Sequence, residues 1–336
     1  KMSSISLGDM AQSVYLRRQN TELKTEMSRL TSELLSGKVQ DVIKHLGGDL
    51  NYLTDVERSL HLNKVFAASA TEAAGFSVAM QSSLEKVQHS ISDLGGDILS
   101  LGANFGEYAA SHLSEKGRSV IEGLVATLNT SVAGRALLSG SATDSAALAS
   151  AEDILADLRS ALTGQSSLAG VEAVMDNWFG TSGGFEAVGY TGGLSDMSAF
   201  HLGDGERIDL KIKGDDEVFR ATLKSAAMAA LSYDPALALS NGTRAEMLGR
   251  AGELSLGAVD SLTTARATLG YAEARIEEAS VRLTAQNTSL EIARSELISA
   301  DPYDTIVKLE ETQFRLESLY TATVKLSQLS LVGFLR

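Results

Sequence analysis

The sequence predicts a mainly α-helical protein: a long-helix bundle formed by the N- and C-terminal segments, with a small α/β domain inserted between them. Three observations carry this. First, a heptad runs through the C-terminal half. Leu248, Ser255, Leu262, Leu269, Ile276, Leu283, Leu290 and Leu297 are spaced by seven. Second, the same segment carries Ala251, Ala258, Ala265, Ala272, Ala279, Gln286, Ala293 and Ala300, offset by three. A stripe of this 3-4 spacing stays on one face only where the helix packs lengthwise on another helix. Alanine on alternate layers lets the partner backbone approach towards the lower end of a roughly 8–10 Å interaxial range. Third, proline occurs only at Pro235 and Pro302, leaving long stretches open to helix.

Taken in order, a first helix is predicted over about Ser13–Ser36, with Leu23, Met27, Leu30 and Leu34 spaced 4-3-4 and Gly37 as its stop. A second stretch covers roughly Val39–Ala74, with Val39, Leu46, Leu53 and Leu60 seven apart and Gly47-Gly48 as a weak point. A third is the most regular: Met80, Leu84, Val87, Ile91, Leu94, Ile98, Leu101 and Phe105 alternate steps of four and three. Gly95 and Gly96 lie within it. Each costs about 1 kcal/mol against Ala in an exposed helix, so packing along the side of this helix must hold it. A further helix is predicted from Glu115 to Leu138, stopping at Gly140.

Between Ser139 and Tyr233 the texture changes. Gly180–Gly184 and Gly189–Gly193 are rich in small and turn-forming residues. His201–Lys213 reads as a hairpin, with Gly203-Asp204-Gly205 as its turn and Arg207–Lys213 alternating polar and apolar residues, the mark of a half-buried strand. Short helices are expected at Ala151–Leu162 and Phe219–Leu231. Thr243-x-x-Glu246 fits a capping box that opens the long heptad helix. From Arg244 to Ala300 that helix would run about 85 Å at roughly 1.5 Å per residue. Asp301-Pro302 ends it and starts a last helix over Tyr303–Leu331. The expected division is therefore residues 1–36 with 302–336 as paired terminal helices, 37–140 with 235–301 as the bundle, and 141–234 as the insert. In the bundle core, Leu262, Leu269, Ile276, Leu283, Leu290 and Leu297 are expected to face the Met80–Phe105 stripe.

Composition narrows the function. A net charge of −14 argues against nucleic acid or an anionic membrane as partner. There is no cysteine, so the fold does not rely on disulfides. No apolar run is long enough to span a membrane, and no signal-peptide pattern is visible. His45, His61, His89, His112 and His201 fall in no metal spacing. Asp215-Asp216-Glu217 is read as a turn, with a weak Ca²⁺ site near Asp215 as the alternative, since the spaced ligands of a calcium loop are missing. Gly203-x-Gly205 and Gly37-Lys38 lack the rest of any nucleotide-binding motif. No Ser-His-Asp order stands out, so no catalytic residue and no cofactor is assigned, and a non-enzymatic protein is expected. Asn129, Asn241 and Asn287 head glycosylation sequons that read as chance matches.

The ends carry the most information. Leu326–Leu335 is an apolar terminus almost free of charge. Chain ends are ordinarily solvated, so such a helix needs partners. Assembly contacts are expected at Leu23, Met27, Leu30 and Leu34, and on the last helix at Leu309, Leu316, Leu319 and Leu326. Leu329, Leu331, Phe334 and Leu335 extend that set.

Two further motifs resemble a known family. Gln19-Asn20-Thr21-Glu22-Leu23-Lys24 is followed by Arg29-Leu30-Thr31-Ser32-Glu33-Leu34-Leu35-Ser36-Gly37. Near the other end, Asp301-Pro302-Tyr303 is followed by Leu316-Glu317-Ser318-Leu319-Tyr320 and by Leu329-Ser330-Leu331-Val332-Gly333-Phe334-Leu335. These resemble the bacterial flagellin superfamily over about the first 140 and last 100 residues. The insert between Arg29-Leu30 and Ser36-Gly37 is similar to the hook–filament junction proteins, the third hook-associated proteins, and departs from filament flagellins. The resemblance implies a structural subunit in a ring of copies between hook and filament, touching a neighbouring hook-associated protein and flagellin. It implies paired termini as an inner layer and the insert as an outer domain. It also implies export without a cleaved signal peptide, unfolded, through the flagellar secretion apparatus to the extracellular flagellum, with an export chaperone masking Tyr303–Leu335. A filament flagellin, or a cytosolic coiled-coil adaptor unrelated to flagella, are the alternatives.

Overall fold

The computed structural model describes residues 7–101 and 106–334, with side chains described for 10–101, 106–326 and 328. Phe105 and Leu335 lie outside the described residues, as do the side chains of Leu329, Leu331 and Phe334. The fold is mainly α-helical. In chain order the helices are α1 (Leu7–Ser36), α2 (Val42–His45), α3 (Asn51–Ser100), α4 (Glu107–Leu128), α5 (Ala151–Leu162), α6 (Leu168–Trp178), α7 (Glu217–Leu231), α8 (Asn241–Ile298) and α9 (Pro302–Phe334). Two small hairpins join them, β1 (Ser131–Val132) with β2 (Arg135–Ala136) and β3 (Phe200–Gly203) with β4 (Glu206–Ile208).

The chain forms two compact units, residues 1–62 with 285–336 and residues 63–284. These cuts fall inside α3 and α8, at other places than the boundaries the sequence suggests. The reason lies in the core of residues 63–284. Met80, Leu84, Val87, Ile91, Leu94 and Ile98 of α3 and Leu262, Leu269, Ile276 and Leu283 of α8 are all buried. They belong to one continuous apolar cluster with Trp178, Phe185, Phe219 and Leu223 of the insert. Bundle and insert thus share a core, each Leu or Ile contributing roughly 1.5–3 kcal/mol by burial.

Polar contacts fix the register of α3 on α8. Gln81 Nε2 donates to the Arg266 carbonyl at 2.9 Å, and Gln88 Nε2 to Thr263 Oγ1 at 2.8 Å. Further along, Gly95 faces Ser255 and Gly252 faces Ile98 and Leu99. Rising numbers on α3 meet falling numbers on α8, so the two run antiparallel. Ser255 is the one small residue on the leucine stripe. A Cβ on Gly95 would lie 2.8 Å from Ser255 Cβ, and one on Gly252 would lie 2.9 Å from Ile98 Cγ2. A leucine at 255 would have no room.

Several elements differ from expectation. The second and third stretches are one helix, α3, because the break falls earlier: Gly47 and Gly48 take positive φ (64° and 88°) just ahead of it. Leu101 is 42% exposed, since α3 stops at Ser100 and the 4-3 geometry stops with it. Leu290 and Leu297 are half-buried, in the unit of residues 1–62 and 285–336. The helix expected over Glu115–Leu138 ends at Leu128. A two-residue turn at Ala133 (φ 51°) and Gly134 (φ 78°) then makes a hairpin, a geometry that suits the strand twist. Ser240, and not Thr243, caps α8: its Oγ accepts from the Thr243 N–H at 3.1 Å. Thr243 itself is buried and donates to the Ser166 carbonyl at 3.2 Å.

The hairpin of the insert turns at Asp204-Gly205 as expected, with Gly205 at φ 71°. Its second strand ends at Ile208, well short of Lys213. Leu210 is still buried while Asp209 and Lys211 are exposed. The alternation therefore reports which side is covered, with no second strand alongside.

The insert is tied to α4 at a point where no side chain fits. A Cβ on Gly117 would lie 2.8 Å from the Ala230 nitrogen of α7. Ser114 Oγ donates to the Ala230 carbonyl at 2.9 Å and accepts from the Tyr233 N–H at 3.3 Å. Beside it the buried Asp234 Oδ2 accepts from Arg159 Nε at 2.8 Å and lies 3.4 Å from Arg118 Nη2. Its Oδ1 accepts from the Ala236 N–H at 2.9 Å. Burial pushes the Asp234 carboxyl up, but the Arg159 hydrogen bond, the Ala236 N–H and the two guanidinium charges outweigh it and hold the group below its ordinary value.

Two predictions follow from these contacts. Gly96 has open space where a Cβ would go, so Gly96→Ala should stabilise the protein by up to about 1 kcal/mol in urea denaturation. Gly95→Ala should instead destabilise it by about 1–3 kcal/mol, because the helices must move apart; equal effects at the two sites would refute the close approach. Asp234→Asn should cost about 2 kcal/mol at pH 7. The wild-type group has a depressed pKa when folded, so its contribution is complete above the unfolded carboxylate value and is lost as pH falls through the folded one. The variant should lack that part of the acid-side slope in stability measured from pH 7 down to pH 2.

Candidate assembly interface

The candidate interface is built in the unit of residues 1–62 and 285–336. Its foundation is a backbone bridge where α1 ends and α9 begins. The Val39 N–H donates to the Ile298 carbonyl at 2.9 Å, and the Ala300 N–H to the Gly37 carbonyl at 3.0 Å. Gly37 makes the bridge possible: it takes φ 66°, reverses the chain, and returns its N–H to the Glu33 carbonyl at 2.8 Å. Opposite it, Asp301 Oδ1 accepts from the N–H groups of Tyr303 and Asp304, at 2.8 and 3.1 Å, and Pro302 opens α9. This is the restart read from the sequence.

From that bridge α1 and α9 pack on each other. Glu26 and Leu30 line the same cleft as Thr305 and Lys308. A charged network secures the α1 side. Arg29 Nη1 donates to the buried Glu33 Oε1 at 2.6 Å, and the Gln40 N–H reaches the same oxygen at 2.8 Å. Arg29 Nε also donates to Glu26 Oε2 at 3.0 Å, and this bond holds the Glu26 carboxyl below its ordinary range against the opposing effect of burial.

The seam contains most of the residues expected to mediate assembly. Leu30 and Leu316 are buried within the single chain. Leu23, Met27, Leu34, Leu309 and Leu319 are half-buried, and Leu326 is exposed. Leu16 and Asn20 continue the half-buried stripe on α1.

A different set of apolar side chains is left uncovered. On α9 these include Tyr303 (80% exposed), Phe314 (70%) and the exposed Val307 and Val324. On α1 they are Met10, Val14, Tyr15 and Leu35. At 3.6 residues per turn, Tyr303, Val307 and Phe314 project from the side of α9 opposite the Thr305–Leu309–Thr312–Leu316 seam. Met10, Val14 and Leu35 likewise fall away from the α1 seam. The sequence reading missed this outer face, although the spacing of 303, 307 and 314 carries it. A helix apolar on two sides needs covering on both.

Near Asp215, the place of the alternative cation reading, the carboxylates face a lysine. Lys213 Nζ lies 3.4 Å from Asp215 Oδ2 and 3.9 Å from Asp196 Oδ1, and donates to the Leu194 carbonyl at 3.1 Å. Among the described residues no group of three His, Asp or Glu side chains could hold a metal ion, and no helix is long and apolar enough to cross a membrane.

No curated protein matches the chain. Among solved structures, one provisionally described as a flagellar hook-associated protein from Vibrio parahaemolyticus superposes with a TM-score of 0.40 at 16% identity, covering 71% of this chain and 95% of that one. The family comparison is of another kind: residues 256–335, most of α8 together with α9, match the bacterial flagellin C-terminal helical region.

Proposed function

We propose that this chain is a structural, non-enzymatic subunit of the bacterial flagellum, placed between hook and filament and assembled through its terminal helices. The observation that carries the reading is the flagellin match over residues 256–335, which falls on the helix whose outer face is apolar and uncovered. In this reading copies of the chain form a ring, with the α1–α9 pair as the inner layer and the insert as an outer domain. A neighbouring hook-associated protein and flagellin are the flanking partners. The chain travels unfolded through the flagellar secretion apparatus to the cell exterior, with an export chaperone on α9. The junction assignment rests on the residues between Arg29-Leu30 and Ser36-Gly37. Within that stretch Glu33 receives Arg29 and Gln40.

The flagellin match also favours a second reading, a filament flagellin. Electron microscopy of a deletion strain separates the two. Loss of a junction subunit should leave hooks without filaments while filament protein accumulates in the medium. Loss of the sole flagellin should leave hooks with the junction complete and no filament protein outside. Protein found only in the cytoplasm and never in sheared flagella would return the reading to a coiled-coil adaptor.

The outer face of α9 gives a sharper test. Phe314→Asp places a charge on a side chain that is already solvated in the single chain, so stability should change by less than about 0.5 kcal/mol. Incorporation into flagella should fall at least about tenfold, the cost of burying an unpaired carboxylate between subunits. Normal incorporation of a normally folded Phe314→Asp protein would remove this face from the interface.

A further inference from the structure

Three segments of the insert region meet on one lysine. The segment after β2 is tied to the loop after Tyr190 twice: the Ser141 N–H donates to the Ser195 carbonyl at 2.9 Å, and the Gly193 N–H to the Ser139 carbonyl at 2.8 Å. The segment before α7 joins them where the Gly214 N–H reaches the Leu138 carbonyl at 2.7 Å. Lys213 lies across this junction with its side chain only 16% exposed. Gly140, at φ 59°, leaves room for its stem: a Cβ there would lie 3.2 Å from Lys213 Cδ. The Lys213 ammonium faces Asp215, Asp196 and the Leu194 carbonyl. The Lys213 N–H donates to Asp216 Oδ2 at 2.9 Å.

The groups around Asp216 are mostly acidic. Asp215 and Lys213 come from its own segment, and Asp196 from the loop after Tyr190. The Tyr190 phenol donates to the Gly193 carbonyl at 2.9 Å, while residues 139–142 bring no charge. Along α7 the nearest charged residues are the exposed Glu217 and the half-buried Arg220. Three carboxylates therefore share one ammonium where water only partly reaches, and Asp215 Oδ1 is buried with no hydrogen-bond partner. Binding one proton eases the repulsion and supplies a donor to a site crowded with acceptors. Burial and the charges of Asp215 and Asp196 push the Asp216 carboxyl above its ordinary value, against the Lys213 N–H and ammonium. A group raised in the folded state contributes fully below its unfolded value, and that contribution is lost as pH rises through the folded one. Asp216 thus favours the fold in acid, where Asp234 loses its hold.

We propose that Lys213 with the carboxylates of Asp196, Asp215 and Asp216 forms an acid-tightened clasp, which ties the three segments more firmly as pH falls and releases them as it rises. The clasp opposes the response of Asp234, so the insert carries two carboxylate sites that answer to pH in opposite senses. The junction stays closed in acid while the Asp234 network weakens. The device belongs to the insert and is independent of any assembly role.

Hydrogen exchange by mass spectrometry on the full chain tests this, with rates corrected for the intrinsic dependence of exchange on pH. The readout is protection in peptides that hold Ser141, Gly193 and Gly214. In the wild type it should fall by at least about threefold from pH 4 to pH 8, since a proton held more tightly in the closed form favours that form by the same ratio. Asp216→Asn keeps an acceptor for the Lys213 N–H and removes the charge. At pH 8 it should be protected at least about threefold better than the wild type, and change little with pH. Asp209→Asn removes an exposed carboxylate from the same segment and should behave as the wild type. Lys213→Met should lose protection at pH 8 and regain part of it at pH 4; no loss at pH 8 overturns its place in the clasp. If that variant fails to fold, Asp216→Asn decides alone. Wild-type protection that is flat or rises with pH, or weaker protection of Asp216→Asn at pH 8, would overturn the proposal. Equal gains in Asp216→Asn and Asp209→Asn would overturn it too, because they would trace to net charge.

Discussion

The close approach of α3 and α8 at Gly95, Gly252 and Ser255 is the constraint on which the core of residues 63–284 depends. A heptad helix contributes nothing until its stripe is covered, and the distance at which it is covered is set by the smallest residues on it. At this point two glycines and one serine bring the backbones together, and the Leu and Ile layers from Met80 to Ile98 close against the neighbouring elements. The insert is then hung on these helices by side chains that reach back to them. Arg135 of the first hairpin pairs with Glu72 of α3 and lies 4.9 Å over the Phe76 ring. Phe76 in turn meets Phe200 of the second hairpin, with ring centroids 5.8 Å apart. Glu206 at the tip of that hairpin pairs with Arg282 and lies 3.9 Å from Arg275, both on α8. A small hairpin of this size would not hold its shape alone; here each is fixed at one edge by the helices.

How much of this was legible depended on what each signal reports. Spacing reports burial, so the α3 and α8 stripes could be read layer by layer. Spacing does not report where a helix ends, which is why Leu101 was assigned to a seam it does not enter. The helix expected through Leu138 was lost to a turn at Ala133-Gly134, where alanine takes a positive φ that its residue type does not advertise. The strand expected through Lys213 failed for a related reason: alternation marks a covered side and is silent about a hydrogen-bonded neighbour. The start of α8 moved from Thr243 to Ser240 because two hydroxyls three residues apart compete for the cap, and only the fold shows which is free to take it.

At the candidate interface the limit was of another kind. A list of apolar residues on a terminal helix does not say which are used within the chain. Leu30 and Leu316 were expected to meet other subunits and are buried inside one. The residues left over, Tyr303, Val307 and Phe314, sit on the opposite side of α9 and are bulky. The two sides can be told apart only once the partner of one side is known.

The two faces of α9 also answer to different physical demands. The seam is formed within one chain, where the Gly37–Ala300 bridge keeps the partners together and the entropic cost of meeting is small. In the proposed assembly the outer face would have to find its partner from solution and overcome the loss of translational and rotational freedom on association, which favours a few large aromatic anchors over many small contacts. The residue types follow that division. Threonine and leucine suffice where the chain itself supplies proximity, while Tyr303 and Phe314 stand where nothing does. In the proposed assembly the outer face would be the part of α9 that specifies its partner, with the inner face positioning it.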